Sequence, residues 1–384
     1  MATIEGVDSF PSSMTIPDDG PDMTAGSVGV PFEALADRSK WLFRREQMRV
    51  VHFEPMIENP KAHNTHRDGR PAYSLRRQRW YLGVGSVAAA GVVVTEDYGA
   101  SSFYAATFNV ATGFHCCFIN DHGNARYGNG IFIPVKTSVV PWLYAHGTDA
   151  YAAGANLPSA AWGGVIHEPV SDNFVIWDIG KIYTAPAAAP AVWTAQTLPG
   201  GGVMGIIPIA SNGTGLLMAH GKIKGVYTSN DGGVTWTECT TAFGLVAITS
   251  IAWDAWRGRF IVMLTDGAGL AETWWSTDGA VWTMLATGIH FAAPAAPAPA
   301  NYVFEIQSVG PVLVATHLAA TGAAYRLVYS VDGGTTWGRA PAPVWANTDA
   351  AVYLANNGSD IVAVNLDTNY KGISFSRGFS PIAF

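Results

Sequence analysis

The sequence has few charged residues. Asp, Glu, Lys and Arg make up 13% of the 384 residues, about half of the share that is usual in soluble proteins. Apolar residues make up 49%. A chain with so little charge has either a large interior or a surface that an assembly covers.

Cysteines and long apolar runs are also scarce. The three cysteines, Cys116, Cys117 and Cys239, are too few for a disulfide framework, and we expect reduced thiols. No stretch approaches the ~20 apolar residues that a membrane span needs. The first 37 residues contain no Lys or Arg and no apolar segment typical of a signal peptide. We therefore expect neither a membrane span nor a signal peptide.

One short motif occurs three times. Residues 229–236 read Ser-Asn-Asp-Gly-Gly-Val-Thr-Trp, residues 330–337 read Ser-Val-Asp-Gly-Gly-Thr-Thr-Trp, and residues 276–282 form a copy one residue shorter. We call 229–236, 276–282 and 330–337 the first, second and third Asp-Gly turns. Each follows a short β-branched or aromatic run, and Asp and Gly are the residues that tight turns favour. The motif predicts a β-hairpin whose Trp is buried against a neighbour.

The residues that we expect to stabilise these hairpins are Ser, Asp, Gly and Trp. They are Ser229, Asp231, Gly233, Trp236, Ser276, Asp278, Trp282, Ser330, Asp332, Gly334 and Trp337. The three turns resemble the Asp box (BNR repeat) of sialidase-like β-propellers, Ser/Thr-x-Asp-x-Gly-x-x-Trp. The resemblance implies a propeller of four-stranded blades. It implies no particular activity, because enzymes and binding proteins share these structural turns.

Weaker copies of the motif extend the repeat. Markers at 95, 138, 184, 229, 276, 330 and 374 lie 43 to 54 residues apart, and periods of about 40–50 residues are typical of propeller blades. The longest step contains the Ala/Pro-rich segment 291–300. We predict an all-β chain with a seven-bladed propeller of four-stranded antiparallel blades, or six-bladed if the marker at 138 is accidental. An N-terminal extended arm and a short helix over residues 31–42 precede it.

One repeat shows all four strands clearly. Apolar and β-branched runs at 248–253, 259–264, 272–275 and 281–285 predict the strands of a single blade.

Charge is unevenly distributed along the chain. Residues 1–37 carry seven acids and no bases, residues 38–79 have a net charge of +7, and residues 80–384 have a net charge of −7. We divide the chain into an attachment arm and helix (1–46), a basic connector able to donate a strand (47–79) and the propeller (80–384). Such charge asymmetry predicts a docking segment. The residues expected to dock are Phe32, Leu35, Trp41, Leu42, Arg76, Arg77 and Arg79.

The N-terminal segment has a second resemblance. Residues 16–42, from Ile-Pro-Asp-Asp-Gly to Phe-Glu-Ala-Leu-Ala-Asp-Arg-Ser-Lys-Trp-Leu, look like N-terminal segments of bacteriophage and prophage tail-fibre-type proteins. This resemblance implies a virion or a tail-like assembly in which the arm is the attachment device.

Signals for catalysis are weak. The sialidase family needs three arginines that clamp a carboxylate. Several arginines of the predicted propeller flank turns, so too few remain to form such a triad. Carboxylates outside the turns keep a glycoside hydrolase as the residual enzyme hypothesis; they are Glu168, Asp178, Asp254, Asp266, Glu305 and Asp360. His63 with His66, and His115 with its neighbouring cysteines, lack zinc-finger spacing. We predict no catalytic residue, no metal and no cofactor.

These observations lead to one main hypothesis and two alternatives. The main one is a structural or adhesion subunit of a phage or phage-tail-like particle, located in the virion or an extracellular tail-like particle and bound through residues 1–79 to other particle proteins. One alternative is a propeller that binds host-surface glycan or degrades polysaccharide. The other is a cellular assembly-factor propeller. The net charge of −7 disfavours nucleic acid as a partner.

Overall fold

The computed structural model describes the strands of the chain and many of the turns between them. The described residues are 2–4, 14–16, 57–58, 72–74, 78–85, 90–95, 103–108, 115–118, 129–135, 142–145, 150–153, 162–178, 181–187, 192–199, 209–221, 225–239, 243, 247–265, 271–289, 302–318, 325–339, 352–358, 360–366 and 371–376. Among these residues, no helix has the length and apolar character to cross a membrane.

The chain divides into two compact units, Met1–His52 and Phe53–Phe384. In the first unit, β1 (Ala2–Ile4) pairs antiparallel with β2 (Met14–Ile16). The helix predicted at 31–42, and with it Phe32, Leu35, Trp41 and Leu42, lies outside the described residues.

The second unit contains seven four-stranded sheets among the described residues. It begins with β3 (Ile57–Glu58). Sheet 1 contains β4 (Ala72–Ser74), β5 (Arg79–Gly85), β6 (Ala90–Thr95) and β7 (Phe103–Phe108). Sheet 2 contains β8 (His115–Phe118), β9 (Asn129–Val135), β10 (Trp142–Ala145) and β11 (Ala150–Ala153). Sheet 3 contains β12 (Trp162–Glu168), β13 (Asn173–Asp178), β14 (Lys181–Pro186) and β15 (Thr194–Gln196).

The remaining four sheets follow the same order. Sheet 4 contains β16 (Ala210–Ser211), β17 (Leu217–Gly221), β18 (Gly225–Ser229) and β19 (Thr237–Glu238). Sheet 5 contains β20 (Ala247–Asp254), β21 (Arg259–Thr265), β22 (Ala271–Ser276) and β23 (Thr283–Ile289). Sheet 6 contains β24 (Tyr302–Val309), β25 (Val312–Leu318), β26 (Tyr325–Ser330) and β27 (Gly338–Arg339). Sheet 7 contains β28 (Val352–Asn356), β29 (Ile361–Leu366), β30 (Lys371–Ser376) and the early strand β3.

The sheets form a closed series. Within sheets 1 to 6, each strand pairs antiparallel with its neighbour in sequence. In sheet 7 the outer strand is β3, with Ile57 opposite Ile373 and Glu58 opposite Gly372. The first or second strand of each sheet contacts the first strand of the next, and β28 of sheet 7 contacts β4 of sheet 1. A strand from the predicted connector 47–79 therefore joins the two ends of the second unit.

The strand β21 of sheet 5 is apolar on both faces. In β21, Phe260 and Val262 pack in a cluster with residues of sheet 4, whereas Ile261 and Met263 pack in a cluster with residues of sheet 6. Side chains alternate between the two faces of a strand, so a strand between two neighbours reads as a continuous apolar run. Burial of both faces explains why the sequence has so many apolar and so few charged residues.

The predicted strands of sheet 5 agree with the structure. Each of the four predicted runs overlaps one of β20 to β23, although β23 begins at Thr283 rather than at 281 because Trp282 belongs to the turn. The marker at 138 was wrong. It precedes β10, the third strand of sheet 2, which ends at Ala145, and this segment lacks the Asp and Gly that locate the other turns.

Candidate interaction surface

The first Asp-Gly turn is held by hydrogen bonds from its own backbone. Ser229 Oγ accepts from the Gly233 amide at 2.9 Å and donates to Asp231 Oδ1 at 2.8 Å. Asp231 Oδ1 accepts from the amides of Val234 (3.1 Å) and Thr235 (2.9 Å), and Thr235 Oγ1 donates to Asp231 Oδ2 at 2.5 Å. Two short side chains thus satisfy the amides that the turn leaves unpaired.

The other two turns repeat this pattern with one difference. In the third turn, Thr336 Oγ1 donates to Asp332 Oδ2 at 2.6 Å. In the second turn, the residue before the Trp is Val281, and Asp278 accepts only from backbone amides and from Ser276 among the described contacts. The second turn therefore lacks a hydroxyl bond that the other two turns possess.

Each tryptophan closes its turn. The indole Nε1 of Trp236 donates to Gly233 O at 2.8 Å, and that of Trp282 donates to Gly279 O at 3.0 Å. Both rings are 6% exposed and lie in the apolar clusters between sheets. Trp337 makes the same bond to Gly334 O at 3.1 Å and is partly buried.

The turn aspartates have lowered pKa values. Burial alone would raise the pKa of Asp231, but the hydrogen bonds from Thr235, Ser229 and Val234 outweigh it, and the net shift is downwards. The same balance lowers the pKa of Asp332. For Asp278 the backbone amides of the turn lower the pKa directly. These groups are favoured as carboxylates in the folded chain.

We expect acid to destabilise the fold through these aspartates. A folded-state pKa below the unfolded value gives stability that is present above the unfolded pKa, about 4, and is lost as pH falls through the folded pKa. Urea unfolding from neutral pH downwards should show a falling free energy of unfolding. The Asp231→Asn variant should be less stable at neutral pH and show a shallower fall. An equal slope in both proteins would contradict the assignment.

The turns also bind the neighbouring sheet. Asn173 Nδ2 of sheet 3 donates to Gly232 O of sheet 4 at 3.4 Å. In sheet 5, Arg259 Nη2 donates to Gly333 O at 2.7 Å and Thr273 Oγ1 donates to Gly334 O at 2.7 Å. The Asp-Gly turns therefore fasten each of these sheets to the one before it.

Two glycines with the same backbone conformation allow the effect of backbone strain to be distinguished from that of steric contact. Gly232 (φ 72°) and Gly213 (φ 73°) both occupy the left-handed region. A Cβ on Gly232 would lie 2.5 Å from Ser171 Cβ, whereas a Cβ on Gly213 would meet nothing within 4 Å.

We expect Gly213→Ala to cost about 1 kcal/mol of unfolding free energy through strain alone. Gly232→Ala should cost about 1–3 kcal/mol more, because the preceding sheet must move. Chemical unfolding of both variants measures the difference. Equal costs would show that the turn does not press against sheet 3.

The carboxylates considered for glycoside hydrolysis form hydrogen bonds or ion pairs within the fold. Bonds join Glu168 to the Ser171 amide (2.6 Å), Asp254 to Arg257 Nη1 (3.1 Å), Glu305 to the Leu354 amide (2.9 Å) and Asp360 to Asn357 Nδ2 (2.9 Å). All four are buried. The side chains of Asp178 and Asp266 lie outside the described part of the chain.

The turns that follow the first strand of a sheet and the Asp-Gly turns that follow the third strand lie at the same edge. In an antiparallel sheet with strands in sequence order, the first and third strands end at the same edge. The turns at 169–172, 212–216 and 255–258 therefore lie at the same edge as the Asp-Gly turns. We call this edge the turn face.

Several large apolar side chains at or next to the turn face are exposed. The large apolar residues with 42% to 73% exposure, among the described side chains, are Val170, Val192, Val234, Trp256, Val281 and Met284. Five lie in the turns of sheets 3 to 5, and Met284 follows the second Asp-Gly turn in β23. We call these six residues the turn-face patch. Sequence reasoning missed them because a valine beside a turn reads as part of a strand.

The predicted docking arginines are only partly described. Arg79 begins β5, pairs in register with Ser74 and is partly buried. Arg76 and Arg77 lie outside the described residues. Docking through these side chains stays a prediction.

Comparisons with known proteins identify the fold. No protein-family profile matches the chain, and no curated protein matches it. Three similar solved structures are described as YCF48 bound to D1 peptide (TM-score 0.58, 14% identity, 86% of this chain and 96% of that chain), a mitotic checkpoint complex (0.58, 12%, 86% and 96%) and YCF48 from Cyanidioschyzon merolae (0.53, 13%, 84% and 98%). The fold is a β-propeller. The four-stranded antiparallel sheets are its blades, as the repeat predicted.

The comparisons correct the functional hypothesis. The prediction of a structural or adhesion subunit of a phage or tail-like particle is wrong, and so is the predicted location in a virion, because the similar structures are YCF48 and a mitotic checkpoint complex. Their descriptions name neither a virion protein nor a glycan. The tail-fibre resemblance misled because it rested on a short polar segment, whereas the sheets carry the fold. The assembly-factor alternative is the better supported.

Proposed function

We propose that this propeller is a cellular assembly factor that binds a segment of another protein and catalyses no reaction. Two similar structures support this proposal through their descriptions, since one contains a bound peptide and the other is a protein complex. The observation that carries the proposal is the turn-face patch. Neighbouring turns that expose large apolar side chains often mark a surface that a protein partner covers.

The absence of catalysis is part of the proposal. Hydrolysis of a glycosidic bond needs two carboxyl groups that face a shared substrate. Glu168, Asp254 and Glu305 instead accept hydrogen bonds from turns or from the neighbouring sheet. These contacts are those expected of carboxylates that stabilise the ring.

We also propose a blade count and a second contact surface. The seven sheets form seven blades, and β3 completes the last of them. The basic segment 38–79 provides a second contact with protein partners, in which Arg76, Arg77 and Arg79 give salt-sensitive steering.

A displayed library of random peptides tests the function. Panning with the purified full chain should enrich peptides that share a motif and bind with a dissociation constant of about micromolar order. The heat-denatured chain is the control. Mass spectrometry of the bound peptide should show it intact. Failure to enrich any peptide above the denatured control would contradict the binding function, and a cleaved or modified peptide would contradict the absence of catalysis.

A further inference from the structure

The turn-face patch runs across three adjacent blades. The side chain of Val170 in sheet 3 lies beside Gly215 in sheet 4, since a Cβ on that glycine would be 3.7 Å from Val170 Cβ. The second Asp-Gly turn packs against sheet 4, since a Cβ on Gly279 would be 3.7 Å from the Cβ of Thr228 near the end of β18. The turns that carry the patch therefore lie on three consecutive sheets that pack against one another at the turn face.

Two valines of this patch are not needed by the turns that carry them. In the third Asp-Gly turn, Thr335 and Thr336 occupy the two positions before the Trp, and Thr336 bonds Asp332. The first turn has Val234 at the earlier position, and the second has Val281 next to its Trp. Val281 is 71% exposed. It occupies the position at which Thr336 of the third turn donates a hydrogen bond to the turn aspartate. Its apolar side chain favours contact with something outside the chain.

The charge around the patch selects the partner. Exposed or partly exposed carboxylates in the turns of this edge are Asp172, Asp231, Asp278 and Asp332. The arginines at this edge whose side chains are described are Arg257 and Arg259, and both bind Asp254 and carbonyl groups of sheet 6. The surface is therefore apolar and acidic. Trp256, which is 50% exposed, also offers a ring face to a cation.

We infer that the turn-face patch binds a partner segment that combines aliphatic side chains with Lys or Arg. This inference rests on the proposed function and adds to it the surface and the chemistry of the partner. Aliphatic side chains of the segment cover Val234 and Val281, and its cations lie near the carboxylates of the turns. Burial supplies the affinity, and charge supplies orientation and selectivity.

The chain itself offers variants that preserve the turns. Val234→Thr and Val281→Thr reproduce the residues of the third turn and leave the shape of the side chains nearly unchanged. Two charge variants form a pair, because Asp172→Asn removes a carboxylate in a turn of the turn face and Glu272→Gln removes one at the start of β22, on the opposite edge. All variants are made in the full chain, and their melting temperatures are compared with wild type.

The probe is a short fluorescent peptide of alternating lysine and valine, measured by anisotropy. The Val234→Thr, Val281→Thr double variant should bind it at least about tenfold more weakly. Asp172→Asn should weaken binding about two- to fivefold at low salt and less at high salt, and Glu272→Gln should not change it. A peptide of alternating glutamate and valine should bind far more weakly than the lysine peptide.

Other results would overturn the inference. Unchanged binding by the double valine variant, equal effects of Asp172→Asn and Glu272→Gln, equal binding of the glutamate peptide, or no binding of the lysine peptide would each do so. A concentration-dependent dimer in sedimentation that the double valine variant abolishes would show that a second copy covers the patch. A motif enriched from the random library would still support the proposed function in every one of these cases.

Discussion

Replacement of Trp236 by alanine is expected to lower the free energy of unfolding by about 3–5 kcal/mol. The ring is 6% exposed, packs between sheets 3 and 4, and donates its indole proton to Gly233 O. Truncation removes apolar burial, leaves a cavity and frees a buried carbonyl. Urea unfolding followed by circular dichroism measures the change.

Trp256→Ala is the matched control. This ring is 50% exposed in the turn between β20 and β21, and its loss should change the free energy of unfolding by about 0.5 kcal/mol or less. If the two variants unfold alike, the Asp-Gly turn does not anchor the blade.

The second large effect is expected at Asp254. Its side chain is fully buried and lies 3.1 Å from Arg257 Nη1, 3.6 Å from Arg259 Nε and 3.2 Å from Ser308 Oγ. Asp254→Ala leaves two arginines in a mostly buried site without their carboxylate, which should cost about 3–5 kcal/mol. Chemical unfolding measures this loss.

A double-mutant cycle shows where the loss arises. Arg257 also donates to Pro311 O and Val331 O of sheet 6, so Arg257→Ala should weaken the contact between sheets 5 and 6. The double variant should be less destabilised than the sum of the single variants, since the pair is coupled. Additive effects, or a loss of under about 1 kcal/mol for Asp254→Ala, would count against the ion pair as a link between blades.

Local patterns predicted the blades where the sequence shows every element of the motif. Sheet 5 has four distinct apolar runs and an Asp-Gly turn, and its strands agree with prediction. Sheet 2 has neither Asp nor Gly at the expected turn, and the marker at 138 fell before the third strand. Turn chemistry, more than apolar content, therefore locates the strands.

Contacts between blades could not be predicted from the sequence. The bond from Asn173 to Gly232 joins residues 59 apart, and that from Arg257 to Val331 joins residues 74 apart. Such pairs depend on how adjacent blades pack. For the same reason the sequence left Asp254 and Glu305 open to a role in hydrolysis, whereas in the structure Ser308 and Leu354 of the adjoining blades donate hydrogen bonds to them.

The interaction surface could not be predicted from the sequence for a different reason. Val234 and Val281 favour strands by propensity, and exposure cannot be read from residue type alone. Comparison of the three turns with one another contains the missing signal, because Thr occupies both corresponding positions in the third turn. Internal repeats thus act as a reference for each other.

Hydroxyl-radical footprinting of the full chain with its best library peptide tests the central claim most directly. Trp256 and Met284 are exposed and belong to residue types that radicals oxidise readily, and both lie in the turn-face patch. Bound peptide is expected to slow oxidation of both residues, while the buried Trp236 and Trp282 stay unreactive with and without peptide. Unchanged oxidation of Trp256 and Met284 under saturating peptide would contradict binding at the turn face.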